Sequence, residues 1–115
     1  MRAFSLIVLT LAATAAPVLA ADRTGYSQIA AGNMSAAEQR IVAERRIFPD
    51  RPELMLNLAA VYRQTGRGAE AKALYAEVLA KPAVALDTPS GTVVSSHTLA
   101  ERALARLSPQ QIATR

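Results

Sequence analysis

A pattern that repeats at a fixed spacing is the feature of this sequence that most restricts its fold. Four positions of one stretch recur in the next, 34 residues further along the chain. The two sets are Gly32, Ala37, Ile41 and Pro49, and then Gly66, Ala71, Tyr75 and, one residue early, Pro82. A period of this size is typical of stacked helical hairpins, each of which buries its apolar side against the next. The pattern therefore predicts an all-α fold and favours protein contact over chemistry as the function.

The first twenty residues have the pattern of a secretory signal peptide. A positive start at Arg2 precedes an apolar run from Ser5 to Ala16, and small residues end the segment at Ala20. The run is shorter than the roughly 20 apolar residues that a stable membrane span needs. We therefore expect cleavage after Ala20, a periplasmic or secreted protein, and no stable membrane insertion after cleavage. An uncleaved membrane anchor is the alternative.

Charge and cysteine content narrow the classes of partner. The chain has 13 Lys and Arg against 9 Asp and Glu, and loss of Arg2 with the leader leaves 12 against 9, a net charge of +3. The densest basic cluster has no interleaved aromatic residues, so we expect no nucleic acid partner. Its members are Arg40, Arg45, Arg46 and Arg51. Without cysteine the exported chain has no disulfide framework and must fold by packing alone.

Candidate catalytic residues are few. His97 is the only histidine, and it stands beside Ser95 and Ser96. Neighbours in sequence at a helix start do not give the geometry of nucleophilic attack, and no oxyanion motif accompanies them. We therefore expect a polar role for His97 at a helix start and no enzyme activity. One histidine and scattered carboxylates also predict no metal site and no cofactor.

The clearest structural unit runs from Pro52 to about Lys81. Apolar residues at i, i+3, i+4 and i+7 place one buried face on each of two helices. These residues are Met55, Leu58, Ala59 and Tyr62 in the first helix and Ala71, Leu74, Tyr75 and Val78 in the second. Gly66 allows the turn between the helices, Asp50 is the expected cap of the first, and Glu77 is expected to pair with Lys81 in the second.

Seven of these positions have a spacing that resembles the tetratricopeptide repeat, W-x2-L-G-x2-Y, A-x3-F and a closing proline. They are Met55, Leu58, Ala59, Tyr62, Ala71, Tyr75 and Pro82. Methionine replaces the tryptophan, alanine replaces the first glycine, and the proline comes one residue early. The resemblance implies antiparallel helical hairpins, about one and a half repeats in residues 21–115, and a packing helix at the carboxyl end.

The resemblance also implies where a partner binds. In tetratricopeptide proteins the first helix of each hairpin lines a concave groove, and an asparagine two positions after the tryptophan place often holds a peptide backbone or carboxylate. Asn57 stands at that place. Arg63 and Gln64, expected on the same exposed face one to two turns later, are the other candidate partner-binding residues. Asn57, Arg63 and Gln64 are thus the predicted contact set.

The earlier copy of the repeat is shortened, because its first helix would begin inside the leader. Only a turn or two of helix is expected at residues 26–31, and Ser35 with Glu38 forms a capping box for the next helix. So short a segment is expected to leave an apolar patch of Ile29, Met34 and Ile41 exposed. This patch predicts a docked partner or a weak homodimer.

Beyond Pro82 the pattern departs from the repeat. Two short β-prone runs surround a turn in residues 84–94, which indicates either a small hairpin or an ordered loop. Thr98 and Glu101 form a capping box for a last helix, although Ser95 or Ser96 is an earlier start. We expect this helix to close the stack.

The sequence therefore predicts an exported helical-repeat module that mediates protein–protein interaction, in a bacterial periplasm. The alternative is a protein that binds an envelope polymer or acts as an enzyme accessory. Sugar sites usually present exposed aromatic rings, and the chain has three tyrosines, of which two are assigned to the core.

Overall fold

The fold is mainly helical. The computed structural model describes residues 24–107, and the predicted leader and its cleavage site lie outside the described residues. In chain order the elements are α1 (Tyr26–Ala30), α2 (Met34–Ile47), α3 (Pro52–Gln64), α4 (Gly68–Ala80), β1 (Ala85–Asp87), β2 (Val93–Ser95) and α5 (Ser96–Arg106). The helical prediction is confirmed, with the addition of one small antiparallel sheet. In the described range, every helix is too short or too polar to cross a bilayer.

Helices α3 and α4 form the most extensively packed pair and hold most of the core. Pro52 occupies the first turn of α3, where its missing N–H breaks no helical bond. Gly66 has φ +81° in the short connection, a conformation that favours glycine. The predicted core positions Met55, Leu58, Ala59, Ala71, Leu74, Tyr75 and Val78 are all buried. Tyr62 is half-buried against this core, whereas Pro82 is exposed.

The expected cap and ion pair of this hairpin are both wrong. Arg51, not Asp50, is the N-cap residue of α3, and it makes no side-chain capping bond. The Asp50 carboxylate instead lies 3.1 Å from Nζ of Lys81. Glu77, the expected partner of Lys81, lies 3.5 Å from Arg45 of α2. Glu77 and Lys81 therefore each pair with a charged group from another helix or loop and not with each other. Sequence spacing does not reveal such distant partners.

The start of α2 also differs from the prediction. The helix begins at Met34, and the Asn33 side chain accepts a hydrogen bond of 3.2 Å from the Ala36 amide. Ser35 therefore lies inside the helix and caps nothing. Its expected partner Glu38 points to another element and binds Arg67. Asparagine is as good an N-cap as serine, so the earlier start is physically reasonable.

Helix α1 covers the residues for which the sequence predicts an exposed apolar patch. Gly25 precedes α1 with φ +77°, and a Cβ atom there would lie 2.7 Å from Cγ1 of Ile41. This close approach leaves Ile41 fully buried. Ile29 and Met34 are half-buried against the same core. The predicted patch is wrong, because one turn of helix with a glycine contact is enough to cover it.

The segment after α4 folds as a β-hairpin, so the first of the two alternatives is confirmed. β1 and β2 pair antiparallel with Leu86 opposite Val94. Helix α5 follows at once, with Ser95 as its N-cap and the Ser95 hydroxyl accepting from the His97 amide at 3.1 Å. The capping box at Thr98 is therefore wrong and the earlier start is right. Helix α5 packs mainly on α4.

Candidate functional site

A pocket of about 410 Å³ lies where α1, α3 and α5 meet the β-hairpin. A second, more open depression lies on α2. The apolar part of the pocket comes from three leucines on three different elements, Leu56 of α3, Leu86 of β1 and Leu99 of α5. The volume of the pocket falls within the range of roughly 300–1,000 Å³ that is usual for binding sites.

Asn57 of α3 lines this pocket and fixes the chain segment beside it. Its Nδ2 atom donates a hydrogen bond of 3.0 Å to the backbone carbonyl of Thr24. This bond ties the residues before α1 to α3, and it places Tyr26 at the edge of the pocket with 47% of its surface exposed. The amide of Asn57 therefore holds a main-chain carbonyl, here one of its own chain.

The turn of the β-hairpin forms the opposite edge. The Thr88 amide and hydroxyl both donate to the carbonyl of Thr92 at 2.9 Å, and the Gly91 amide donates to the carbonyl of Thr88 at 2.9 Å. These bonds close a compact turn. Asp87 and Pro89, on either side of Thr88, are thereby held at the mouth of the pocket.

The start of α5 is fixed by two side chains. The Ser96 hydroxyl accepts from the Val84 amide at 2.9 Å, and the Ser96 amide donates to the Val84 carbonyl at 2.8 Å. Nε2 of His97 lies 2.6 Å from the carbonyl oxygen of Lys81, to which it donates. His97 thus occupies the polar helix-start position that the sequence predicts. Together these bonds set the position of Leu99 one turn later.

Among residues 24–107, the charged side chains that line the pocket are both acidic. Glu53 and Asp87 face it from α3 and β1, although the chain as a whole has a formal net charge of +4. Glu53 lies 3.9 Å from Arg51, a long and partly exposed pair. Arg51 itself stacks over the ring of Phe48 at 4.2 Å. Asp87 is exposed and forms no ion pair with any residue from 24 to 107, so the pocket carries a local excess of negative charge.

The structure does not bring all three predicted contact residues together. Arg63 is turned by about 120° from Asn57 around α3, since each residue adds roughly 100°. It is half-buried, and its Nε atom is buried without a hydrogen-bond partner in the described part of the chain. Gln64 is exposed two turns beyond Asn57, and neither Arg63 nor Gln64 lines the pocket. Their roles in binding, like that of Asn57, stay predictions.

Sequence reasoning missed the neighbours of Asn57 in the pocket. Glu53 is four residues before Asn57 on α3, so helical spacing alone could have placed it on the same face. No comparable sequence pattern indicates that Leu86, Asp87 and Leu99 line the pocket. They depend on how the hairpin and α5 fold back toward α3.

A second polar cluster joins α2 to the α3–α4 connection. Two nitrogens of Arg67 lie 2.6 and 3.2 Å from the two carboxylate oxygens of Glu38. The same guanidinium stacks over the Tyr62 ring at 4.4 Å. The hydrogen bonds from Arg67 lower the pKa of Glu38 although partial burial opposes them, and burial raises the pKa of Tyr62. The charged groups of this cluster bind each other, so the cluster is best understood as a link between elements.

Comparison with known proteins adds no assignment. No protein-family model, no curated protein and no solved structure matches this chain. Across residues 24–107, no three potential ligands among His, Asp and Glu come together in a way that could hold a metal ion. Function is therefore inferred from the repeat pattern and from the pocket.

Proposed function

We propose that this protein is a tetratricopeptide-like module that binds another protein through the pocket between α1, α3 and α5. The observation that carries the proposal is that alternate helices of the chain border one pocket, together with Asn57. Stacked helical hairpins place their first helices on one side in this way. The second helices, α2 and α4, then act as the supporting layer.

Equivalent positions of the two repeats support the proposal. Gly25 and Ile41 contact each other in the shortened copy. Their counterparts 34 residues later, Ala59 and Tyr75, are both buried in the core of the complete hairpin. A small and a large residue are thus buried at the same two places of both copies, in agreement with the repeat pattern.

Export is part of the proposal and rests on the sequence of residues 1–20. A positive start, an apolar run and small residues before Ala21 are the features that signal peptidase requires. Intact-mass measurement of the full chain expressed in a Gram-negative host is expected to show Ala21 as the first residue. A protein that retains Met1 in the membrane fraction would contradict export with cleavage.

Binding of an envelope polymer is the second candidate, and Tyr26 is the observation that favours it. Tyr62 is half-buried and Tyr75 is buried, so Tyr26 is the one tyrosine of three with an exposed ring. A single aromatic ring at a pocket edge can stack on a sugar. Sedimentation with purified peptidoglycan tests this candidate, and loss of sedimentation in Tyr26→Ala is the expected result if it is correct.

The proposed function is tested by site-specific photo-crosslinking in the cells that make the protein. A photoreactive residue replaces Tyr26 or Pro89 at the pocket edge, and matched controls carry it at Gln39 of α2 or Ala73 of α4, which are also exposed. We expect one discrete protein adduct from the two pocket positions and none from the controls. Equal adducts from all four positions, or none from any, would contradict the proposal.

A further inference from the structure

The charge of the pocket restricts which types of side chain it can bind. Resting on the proposed function, we infer that the pocket takes a basic side chain, lysine or arginine, next to an apolar one in a partner protein segment. Glu53 and Asp87 supply the two carboxylates, and Leu56, Leu86 and Leu99 supply the apolar surface beside them. Of the two ligands that the repeat resemblance implies for Asn57, a peptide backbone or a carboxylate, this preference is compatible with the first and opposite to the second.

The carboxylates are available to a cation. Asp87 is exposed with no ion-pair partner in residues 24–107, and the Arg51 pairing of Glu53 is 3.9 Å long. An incoming lysine or arginine therefore competes only with one weak pair. A partner carboxylate would instead approach two like charges, and within the described part of the chain no lysine or arginine lines the pocket to receive it.

The apolar part of the pocket limits the shape of the partner segment. Leu86 is buried and Leu56 and Leu99 are half-buried, so they offer a small surface and not an extended face. A pocket of about 410 Å³ accommodates one or two side chains, not the whole face of a helix. A short extended segment with a basic and an apolar residue two positions apart fits both features, because alternate side chains of an extended chain point to the same side.

Fluorescence anisotropy with defined peptides tests the inference. The probe is a labelled peptide of sequence Gly-Leu-Gly-Lys-Gly, compared with the same peptide carrying acetyl-lysine and with one carrying glutamate in place of lysine. We expect the lysine peptide to bind about tenfold more tightly than the acetylated one, and the difference to shrink at high salt because salt screens exposed charges. Equal binding of the lysine and glutamate peptides would overturn the inference.

Matched protein variants test whether the carboxylates of the pocket contribute to peptide binding. Glu53→Gln and Asp87→Asn should each weaken the lysine peptide about two- to fivefold, as expected for partly exposed ion pairs. Glu70→Gln, an exposed carboxylate on α4 outside the pocket, serves as the control and should leave affinity unchanged. A loss in Glu70→Gln equal to that in Glu53→Gln would contradict a local effect of the pocket.

The outcomes for this inference and for the proposed function can be told apart. If the peptides do not discriminate charge but Tyr26 still gives a protein adduct, the pocket binds a protein of other chemistry and only the inference fails. If peptides fail and no adduct forms, both fail. Melting temperatures of Glu53→Gln and Asp87→Asn near that of the parent exclude misfolding as the cause.

Discussion

The α3–α4 hairpin and the junction between α4, the β-hairpin and α5 are held together by different means. The α3–α4 pair is held by apolar side chains, and the small residues Ala59 and Ala71 are fully buried in it. The junction contributes fewer buried apolar groups and relies on the hydrogen bonds of Ser96 and His97. The first region supplies the core, and the second positions one side of the pocket.

This difference indicates how stability and binding are divided. A tightly packed pair of helices loses stability when either helix changes volume, because its interior cannot adjust. A junction held by hydrogen bonds involves smaller energies per residue. The pocket can therefore vary at its surface while the α3–α4 core keeps the fold.

The largest expected effect tests packing at Ala71. Ala71→Leu should overpack the contact between α3 and α4 and lower the free energy of unfolding by about 1–3 kcal/mol. Ala73→Leu on the exposed side of the same helix is the matched control, and should stay within about 0.5 kcal/mol of the parent. Urea unfolding followed by circular dichroism measures both. Equal stability of the two variants would mean that the hairpin is not packed as described.

The next prediction compares Gly25 and Gly32, which both have a positive φ. Gly25→Ala should lower stability by about 2 kcal/mol, since a left-handed conformation costs an L-residue roughly 1–2 kcal/mol and the new methyl group also meets Ile41. At Gly32, with φ +81°, an added methyl group would meet no atom within 4 Å, so Gly32→Ala should lose only the conformational part. A larger loss of thermal stability in Gly32→Ala than in Gly25→Ala would contradict the close contact between Gly25 and Ile41.

A smaller effect is expected at the junction. Ser96→Ala removes the acceptor of the Val84 amide and should cost about 1 kcal/mol. This expected cost lies at the low end of the range for leaving a hydrogen-bond donor without its partner, because Val84 is 42% exposed and water can reach its backbone. Ser35→Ala, at an exposed position of α2, is the control. If Ser96→Ala costs as much as Ala71→Leu, the contrast between the two regions is wrong.

The smallest effect concerns pH. Arg67 lowers the folded-state pKa of Glu38, so this ion pair stabilises the fold above the unfolded-state pKa of Glu38, and the stabilisation is lost as pH falls through the folded-state value. The loss should begin near pH 5 and stay below about 1 kcal/mol, because both side chains are partly exposed. Glu38→Gln should therefore flatten the acid side of the stability profile, measured by melting at several pH values. An unchanged profile, or the same flattening in Glu101→Gln, would argue against the pair.

The apolar part of the fold can be predicted from the sequence, since periodicity reports which side of a helix is buried. Leu58, Ala71 and Tyr75 belong to the core on that basis, and all three are buried. The ends of helices are harder to predict. Asp50 and Ser35 are both residue types that often cap helices. In the structure Asp50 pairs with Lys81 instead, and Asn33 is the residue that caps α2.

The candidate site can be predicted only in part. Asn57 is indicated by its position in the repeat, and it lies in the pocket. Its neighbours Asp87 and Leu99 are at least 30 residues away in sequence. They reach the pocket through the β-hairpin and the buried Ser96, and no local pattern reports such folding back.

The central claim, that the side formed by α1, α3 and α5 is the contact surface, is tested most directly by nuclear magnetic resonance. Amide signals of the labelled protein are recorded while the Gly-Leu-Gly-Lys-Gly peptide is added. We predict that the largest shifts fall on Tyr26, Asn57, Asp87 and Leu99, with little change at Gln39. Shifts centred on the outer faces of α2 and α4, or no shifts at saturating peptide, would contradict the account.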